Sequence, residues 1–313
     1  MPDPTPSRPN TAFTLAHLSD LHLTSLDQVR ARELLGKRVL GYLSWHWHRR
    51  HEHLPDVLER LAEDVRAQQP DHVVVTGDLT QLGTPLECRQ AREWLERFGD
   101  PAAVSAVPGN HDAYVAAPWE ETQGLWAAYM TSDDTGEGFP YLRRRGPVAL
   151  IGLSSARPTA PFLASGRLGA EQLAGLEQLL EATGRQGCFR VVLLHHPPAV
   201  GTVVRRKGLD DARAFNDVLA RRGAELVLHG HAHRPVRKSL PGPLGPVPVL
   251  GVSSASARGA RPGRAAAYHL YHITPQVAGW HLEVACRTLH PGPMHLVETD
   301  RWELDLAGAM PGR

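Results

Sequence analysis

Short apolar runs alternate with helical patterns along most of the chain. FTLAHLS (13–19), HVVVTG (72–77), AAVSAVPG (102–109), VALIGLS (148–154), FRVVLLH (189–195) and AELVLHG (224–230) read as buried strands bounded by polar or turn-forming positions. Between them, LPDVLERLAEDVRAQQ (54–69), TPLECRQAREWLERF (84–98), GAEQLAGLEQLLEA (169–182) and DDARAFNDVLARR (210–222) space apolar residues three and four apart, which predicts amphipathic helices. From Val247 onward the pattern is strand only, in VPVLGVSSA, AAAYHLYHI and GWHLEVACRTL. Strands alternating with helices and then following one another predict an α/β fold with mixed sheets.

No fixed-period repeat and no composition break divides the chain after Phe13. The pattern therefore predicts one domain over 13–304, a disordered proline-rich lead-in over 1–12 and a short tail over 305–313. The lead-in lacks the charged start and apolar stretch of a signal peptide. One segment interrupts the alternation: TSLDQVRARELLGKRVLGYLSWHWHRRHEH (24–53). Leu35, Val39, Leu43 and Trp47 recur every four residues there, as on one face of a helix, and Arg30, Arg32, Lys37, Arg38, Arg49 and Arg50 surround them. Three uses fit such an insertion. It could be a helical hairpin packed on the domain, a basic amphipathic element docking on an anionic membrane, or a homodimer contact.

Composition narrows the function classes. With 34 Lys+Arg against 33 Asp+Glu among 313 residues, the net charge is +1, so no global field holds a nucleic-acid polymer. No apolar run is long enough to span a bilayer. Three widely spaced cysteines argue against a disulfide framework or a zinc knuckle and predict a cytoplasmic protein, at most peripheral to the inner face of the membrane. Histidine, by contrast, is abundant at 18 residues, and several stand at segment ends beside Gly, Asp or Asn.

Those segment ends carry the chemistry. Asp20 and His22 follow the first apolar run, Asp78 the second, and Asn110, His111 and Asp112 the third. His195 and His196 end the run at 189–195, and His229, His231 and His233 surround the end of 224–230. Strand-to-loop junctions are where open α/β sheets collect ligand sites. Any one of these groups fits an ordinary polar strand end, but five in order, each after an apolar run, point to a shared site. Asp, His and Asn together suit iron, manganese or zinc, and a carboxylate on a tight Gly-Asp turn can bridge two such ions.

The ordered set DLH (20–22), GD (77–78), GNHD (109–112), H (195) and GHAH (230–233) resembles the calcineurin-like metallophosphoesterase superfamily. Within it, the set is most similar to the bacterial cyclic-nucleotide phosphodiesterase group, which also contains glycerophosphodiester hydrolases. The resemblance implies a four-layer α/β/β/α sandwich with a dinuclear site of two Mn, Fe or Zn ions at one edge. It places Asp20, His22 and His233 on the first ion, Asn110, His195 and His231 on the second, and Asp78 between them. His111 would protonate the leaving oxygen, with Asp112 orienting it, and His196 would lie behind the ligands or face substrate. His17 and His229 read as structural. The implied reaction is hydrolysis of a small phosphodiester by a metal-bridging hydroxide.

Other branches fit less well. GDLTQLG has no arginine where phosphoprotein phosphatases carry GDxxDRG, and His111 stands where the lipid A pyrophosphohydrolases read GNRD. If the insertion touches membrane, a phospholipid or lipid-linked phosphodiester or pyrophosphate becomes the natural substrate. The non-enzymatic alternative is a metal-stabilised scaffold.

Overall fold

A computed structural model describes residues 12–308 apart from 24, 25, 35, 135, 137, 291 and 293. The expected lead-in up to residue 11, Leu35 of the insertion and the last five residues of the expected tail lie outside the described residues, as does the side chain of Arg32. The chain runs β1 (Phe13–Leu18), α1 (Lys37–Trp47), α2 (Pro55–Ala67), β2 (His72–Val75), α3 (Pro85–Phe98) and β3 (Val104–Ala106). It continues with β4 (Tyr141–Arg145), β5 (Val148–Gly152), α4 (Ala170–Arg185), β6 (Phe189–Leu193), α5 (Ala212–Arg222), β7 (Leu226–His229), β8 (Val236–Leu240) and β9 (Val247–Gly251). Three long strands close it: β10 (Ala267–Gln276), β11 (Gly279–His290) and β12 (His295–Leu306).

These strands form two six-stranded sheets, β12-β11-β10-β1-β2-β3 and β4-β5-β6-β7-β9-β8. Within the first, β1, β2 and β3 are parallel and β10 to β12 add antiparallel hairpins beside β1. Within the second, β5, β6, β7 and β9 are parallel, with antiparallel β4 and β8 at the two edges. The fold is the mixed four-layer α/β/β/α arrangement.

Strand periodicity builds the layers. On β6, Phe189, Val191 and Leu193 join the core shared with the first sheet, while Val192 faces the outer core under α4 and α5. Leu226 and Leu228 against Val227 on β7 repeat the split. On the other side, α2 buries Val57, Leu58, Leu61 and Val65, and α3 buries Cys88, Ala91, Trp94 and Leu95, at the spacing of one helix face. Full burial of such a side chain contributes about 1.5–3 kcal/mol before chain entropy is set against it.

Three strands escape the sequence pattern: β4 (YLRRR), β8 (VRKSL) and β12 (HLVETDRWELDL). All three are sheet edges. Edge strands are half exposed and carry charge, so no apolar run marks them. As a result β12 extends to Leu306, two residues into the expected tail.

The insertion is helical, but its apolar stripe does not pack on the domain. Val39, Leu43 and Trp47 are exposed, Trp47 by 72%, and Leu40 joins them. The opposite face of α1 packs instead: Trp45 is buried with Leu26 and Leu82, and Val29, Leu34, Tyr42 and Tyr114 pack around them. Arg38 ties the helix to the carbonyls of Leu82 and Gly83 at 3.1 and 2.7 Å. Lys37 donates to Thr159 Oγ1 at 2.8 Å.

Candidate metal centre

Parallel strands bring their carboxyl ends to one edge of each sheet, and the two edges meet there. Asp20 and His22 follow β1, Asp78 follows β2, Asn110 follows β3, His195 follows β6, and His231 and His233 follow β7. The first two loops are laced together by backbone bonds of 2.9 Å from Asp20 N to Gly77 O, His22 N to Asp78 O and Leu23 N to Leu79 O. His231 N donates to Asp20 Oδ2 at 3.0 Å and draws the second sheet's loop in.

Backbone strain marks the same positions. Asp20, His22, Asp78, His231 and His233 all have positive φ, from 45° to 66°. L-residues rarely adopt this region, and such conformations persist where surrounding structure over-determines them. The glycines of the GD and GNHD blocks have a steric reason. A Cβ on Gly77 (φ 94°) would sit 2.7 Å from both Gly109 N and His195 Nδ1, and one on Gly109 would sit 2.2 Å from Asp78 Oδ1.

Two donor clusters result, and Asp78 belongs to both. Asp20, His22, Asp78 and His233 form one; Asp78, His195 and His231 form the other. Asn110 Oδ1 joins the second at 3.2 Å from His195 Nε2. The seven residues expected as ligands are therefore brought together, all but His231 and His233 buried.

The donor chemistry fits a pair of cations. His22 donates Nδ1–H to Thr80 O (3.1 Å) and His195 donates Nδ1–H to Thr76 O (2.7 Å), so each turns a lone pair on Nε2 inward. These Nε2 atoms stand 3.4 Å from His233 Nε2 and 3.2 Å from His231 Nδ1. Two nitrogens bound at about 2.1 Å on a tetrahedral ion are about 3.4 Å apart, so both spacings suit a shared metal. Burial disfavours charge on Asp78, but the His195 and His111 imidazoles beside it outweigh burial and hold its carboxyl well below the usual range. Burial likewise opposes charge on His195, and Asp78 overrides it, raising that imidazole to about 9. A metal would take the place of that proton.

His111 sits at the rim of the clusters. Its backbone N–H donates to Asp78 Oδ1 at 2.8 Å, and its Nδ1–H donates to Gln81 O at 2.6 Å, which makes Nε2 the acceptor of the neutral ring. Arg49 Nη1 lies 3.0 Å from Nδ1 and 3.4 Å from Nε2 of the ring. Because Nδ1 carries the proton held by Gln81, only Nε2 can accept from the guanidinium. Burial lowers the His111 pKa to about 4, Asp78 opposes the drop and Arg49 reinforces it.

Asp112 is corrected from orienting the His111 ring to holding its loop, and of the two places expected for His196 the structure takes the one behind the ligands. Asp112 does not touch the His111 ring: its carboxylate accepts from Thr80 N (2.9 Å), Thr80 Oγ1 (3.0 Å) and Gly109 N (2.8 Å). It fastens the Asp78 loop to the GNHD loop, so its hold on His111 runs through backbone. Burial and the nearby Asp78 raise its pKa to about 7. His196 does not face the cleft either. It is fully buried behind His231, ring centroids 4.6 Å apart, with Nδ1 2.8 Å from Ser155 Oγ. His17 and His229 are also buried, bonded to Thr76 Oγ1 and Gly230 O.

Two residues of the insertion belong to the site and were not singled out from sequence. Arg49 is one. The other is His53, buried, with Nδ1 2.9 Å from Ser256 Oγ and its ring 4.3 Å from that of His22. His53 also groups with His22 and His233 as a third set of potential metal donors. The available signal was the histidine-rich end of the insertion, HWHRRHEH, but no spacing in it distinguishes His53 from His46, His48 or His51.

The calcineurin-like phosphoesterase family model matches residues 13–235. The chain belongs to the calcineurin-like phosphoesterase family. It is 32% identical over 174 residues to a probable cyclic nucleotide phosphodiesterase of Synechococcus sp. (strain ATCC 27144 / PCC 6301 / SAUG 1402/1), covering 55% of this chain and 61% of that protein. It is 26% identical over 229 residues to a cAMP/cGMP dual specificity phosphodiesterase of Mycobacterium tuberculosis (strain CDC 1551 / Oshkosh), covering 72% and 63%. Each match thus spans less than two thirds of the relative's length. Two solved structures share the fold. One is a dimetal phosphatase from Danio rerio (TM-score 0.58, 13% identity, 94% of this chain and 99% of that one). The other is a purple acid phosphatase from yellow lupin (TM-score 0.61, 12% identity, 96% and 55%). No helix among the described residues is long and apolar enough to cross a membrane.

Proposed function

We propose that this family member is a dinuclear metal-dependent phosphodiesterase acting on a small phosphodiester, a cyclic nucleotide or glycerophosphodiester, with Mn, Fe or Zn as its ions. The observation that carries the reading is the pair of donor clusters sharing Asp78, with Nε2 of His111 at their edge. The names of the two curated relatives favour a diester over a monoester.

When bound, two such ions lower the pKa of water and polarise a phosphoryl oxygen as Lewis acids. Asp20, His22 and His233 would hold the first and Asn110, His195 and His231 the second, with Asp78 common to both. Gln81 O fixes the His111 ring so that Nε2 faces the substrate's leaving oxygen. The negative charge of a bound phosphodiester raises the affinity of that nitrogen for a proton, against the burial that lowers it. His111 then donates the proton to the departing alkoxide. Arg49, beside the ring, supplies a fixed positive charge for the phosphoryl group.

Hydrolysis of bis(p-nitrophenyl) phosphate by protein loaded in turn with manganese, iron and zinc tests the reading. Turnover with about two ions per chain supports it. Silence with every metal leaves the scaffold alternative.

A second observation bears on where the enzyme works. The exposed Val39, Leu40, Leu43 and Trp47 of α1 stand on the insertion that also supplies Arg49. Arg30 and Arg50 remain exposed on either side of the helix in sequence. This favours docking of the insertion on an anionic bilayer, with a lipid-derived diester as substrate.

A further inference from the structure

The histidine-rich end of the insertion, HWHRRHEH (46–53), brings a third set of nitrogen donors to the metal centre. His22, His53 and His233 each place a ring nitrogen within 4.8 Å of the other two, and the set contains neither Asp20 nor Asp78. Between centroids, the ring of His53 stands 4.3 Å from that of His22 and 5.5 Å from that of His233.

The hydrogen bonds of His53 fix which nitrogen it offers. Ser254 Oγ gives its proton to Asp20 O at 2.6 Å, so at 3.2 Å from His53 Nδ1 it can only accept. Ser256 Oγ lies 2.9 Å from the same nitrogen. Nδ1 therefore carries the proton, and the lone pair of the neutral ring is on Nε2. His22 is set the same way by Thr80 O, with its one lone pair on Nε2, 3.4 Å from His233 Nε2. Lone pairs crowded this closely repel one another, and a cation between them removes the repulsion.

A second cavity adjoins the set from the insertion side. It holds about 430 Å³ and is lined by His22, Asp27, Trp45, Arg50, His51 and His53. Of the three histidines only His233 lines the substrate cleft, beside Asp78, His111 and His231.

Donor type separates the two uses of His22 and His233. With Asp20 and Asp78 they make a mixed oxygen and nitrogen set, which suits manganese or iron; with His53 they make an all-nitrogen set, which suits zinc. Three imidazoles with a fourth position open is a geometry that zinc accepts. We infer that His22, His53 and His233 form a third cation site that takes zinc in preference to manganese and excludes the first ion of the dinuclear pair. The exclusion follows from His22, whose single lone pair binds one ion at a time. Zinc held on the insertion side thus takes a ligand from the resident manganese, which makes the insertion an inhibitory metal sensor. The site goes beyond the phosphodiesterase reading; only the inhibition rests on it.

The test dialyses manganese-loaded protein against rising zinc and counts both metals per chain. About one zinc binds and about one of two manganese ions leaves. Hydrolysis of bis(p-nitrophenyl) phosphate, taken relative to each protein's own zinc-free rate, falls over the same zinc range. Outer-shell partners of a metal are worth about 10- to 100-fold in affinity and a ligand no less, so His53→Gln raises the zinc needed for both effects at least about tenfold. Ser256→Ala keeps the imidazole and removes one partner of Nδ1; it weakens zinc by about threefold or more and carries the test if His53→Gln does not fold. Equal zinc concentrations for wild type and variants assign zinc to the dinuclear pair and overturn the inference, as does zinc uptake that releases no manganese. Loss of manganese from a folded His53→Gln chain before zinc is added makes His53 a ligand of the first ion and overturns the separate site. The metal counts need no substrate, so absence of hydrolysis with every metal tells against the proposed function and leaves this site to be judged on zinc uptake.

Discussion

Arg49 Nη1 lies 3.0 Å from Nδ1 of His111, joining the insertion to the GNHD loop across 62 residues of chain. The guanidinium is held in turn by Gly41 O at 2.9 Å, from within α1. The insertion therefore reaches the reacting centre. Removing the guanidinium takes a fixed positive charge from beside the phosphoryl position and leaves all seven candidate ligands intact. Arg49→Ala is expected to lower kcat/KM on bis(p-nitrophenyl) phosphate by about 10- to 100-fold with unchanged metal content. Arg49→Lys should recover only part, since an ammonium cannot span both Gly41 O and the ring. Metal analysis beside kinetics checks it, and a variant that loses its metal would assign Arg49 to the scaffold instead.

Asp78 and His111 should separate metal binding from turnover. Asp78 is common to both donor clusters, so Asp78→Ala is expected to lose metal and activity together. His111 hydrogen-bonds the clusters only through its backbone N–H to Asp78, which alanine keeps, and its ring stands edge-on to that of His22, centroids 4.9 Å apart. His111→Ala should retain metal and lose about 10²- to 10⁴-fold in kcat on a diester with an alkoxide leaving group. The loss should be smaller with p-nitrophenolate, which departs without a proton. Equal losses on both leaving groups would rule out the proton-donor role.

Periodicity reached the mixed α/β fold, while the four-layer sandwich and the expected ligand set came from the resemblance carried by the ordered motifs, whose residues the structure brings together. Val191/Val192 and Leu226/Val227 are buried on both faces, so their strands read as continuous apolar runs, and the candidate ligands sit at the end of such runs or up to three residues beyond them. β4, β8 and β12 left no mark because an edge strand is paired on one side only and carries charge. Asp112 was misplaced for a different reason. The resemblance implied that it orients His111, but a carboxylate in a tight turn finds the nearest backbone N–H groups first, here those of Thr80 and Gly109. His53 and Arg49 were hidden because their roles depend on how a short helical segment folds back over the ligands.

The exposed stripe on α1 gives a direct membrane test. Leu43 and Trp47 are 48% and 72% exposed, and burying side chains of this size in a bilayer interface contributes about 1.5–3 kcal/mol each at most. The protein should sediment with vesicles containing phosphatidylglycerol at low salt and bind less as salt rises. Leu43→Ser with Trp47→Ser should abolish binding and leave bis(p-nitrophenyl) phosphate hydrolysis in solution within about twofold, since both side chains point away from the site. No sedimentation of wild-type protein at low salt removes membrane docking and leaves a contact between copies to be examined by molecular mass in solution.

Buried histidines away from the metal clusters set the acid limit of stability. Burial alone lowers His269 to about 4, and burial, then the Arg145 and Arg143 charges, lower His72 to about 3, from an ordinary value of 6.5. Each is neutral in the folded chain at neutral pH, His72 with Nε2 2.8 Å from Ser105 Oγ. The folded value lies below the unfolded one, so the unfolded chain takes up protons first as pH falls. Their stability contribution is therefore complete above pH 6.5 and is lost on acidification towards pH 3–4, by roughly 1.4 kcal/mol per pH unit for each histidine. Urea titrations of the metal-free protein at a series of pH values should show the midpoint falling below pH 6.5. His72→Gln should flatten that fall, because an amide fills much of the same space and hydrogen-bonds Ser105 without titrating. A midpoint that declines just as steeply in the variant would locate the acid sensitivity elsewhere.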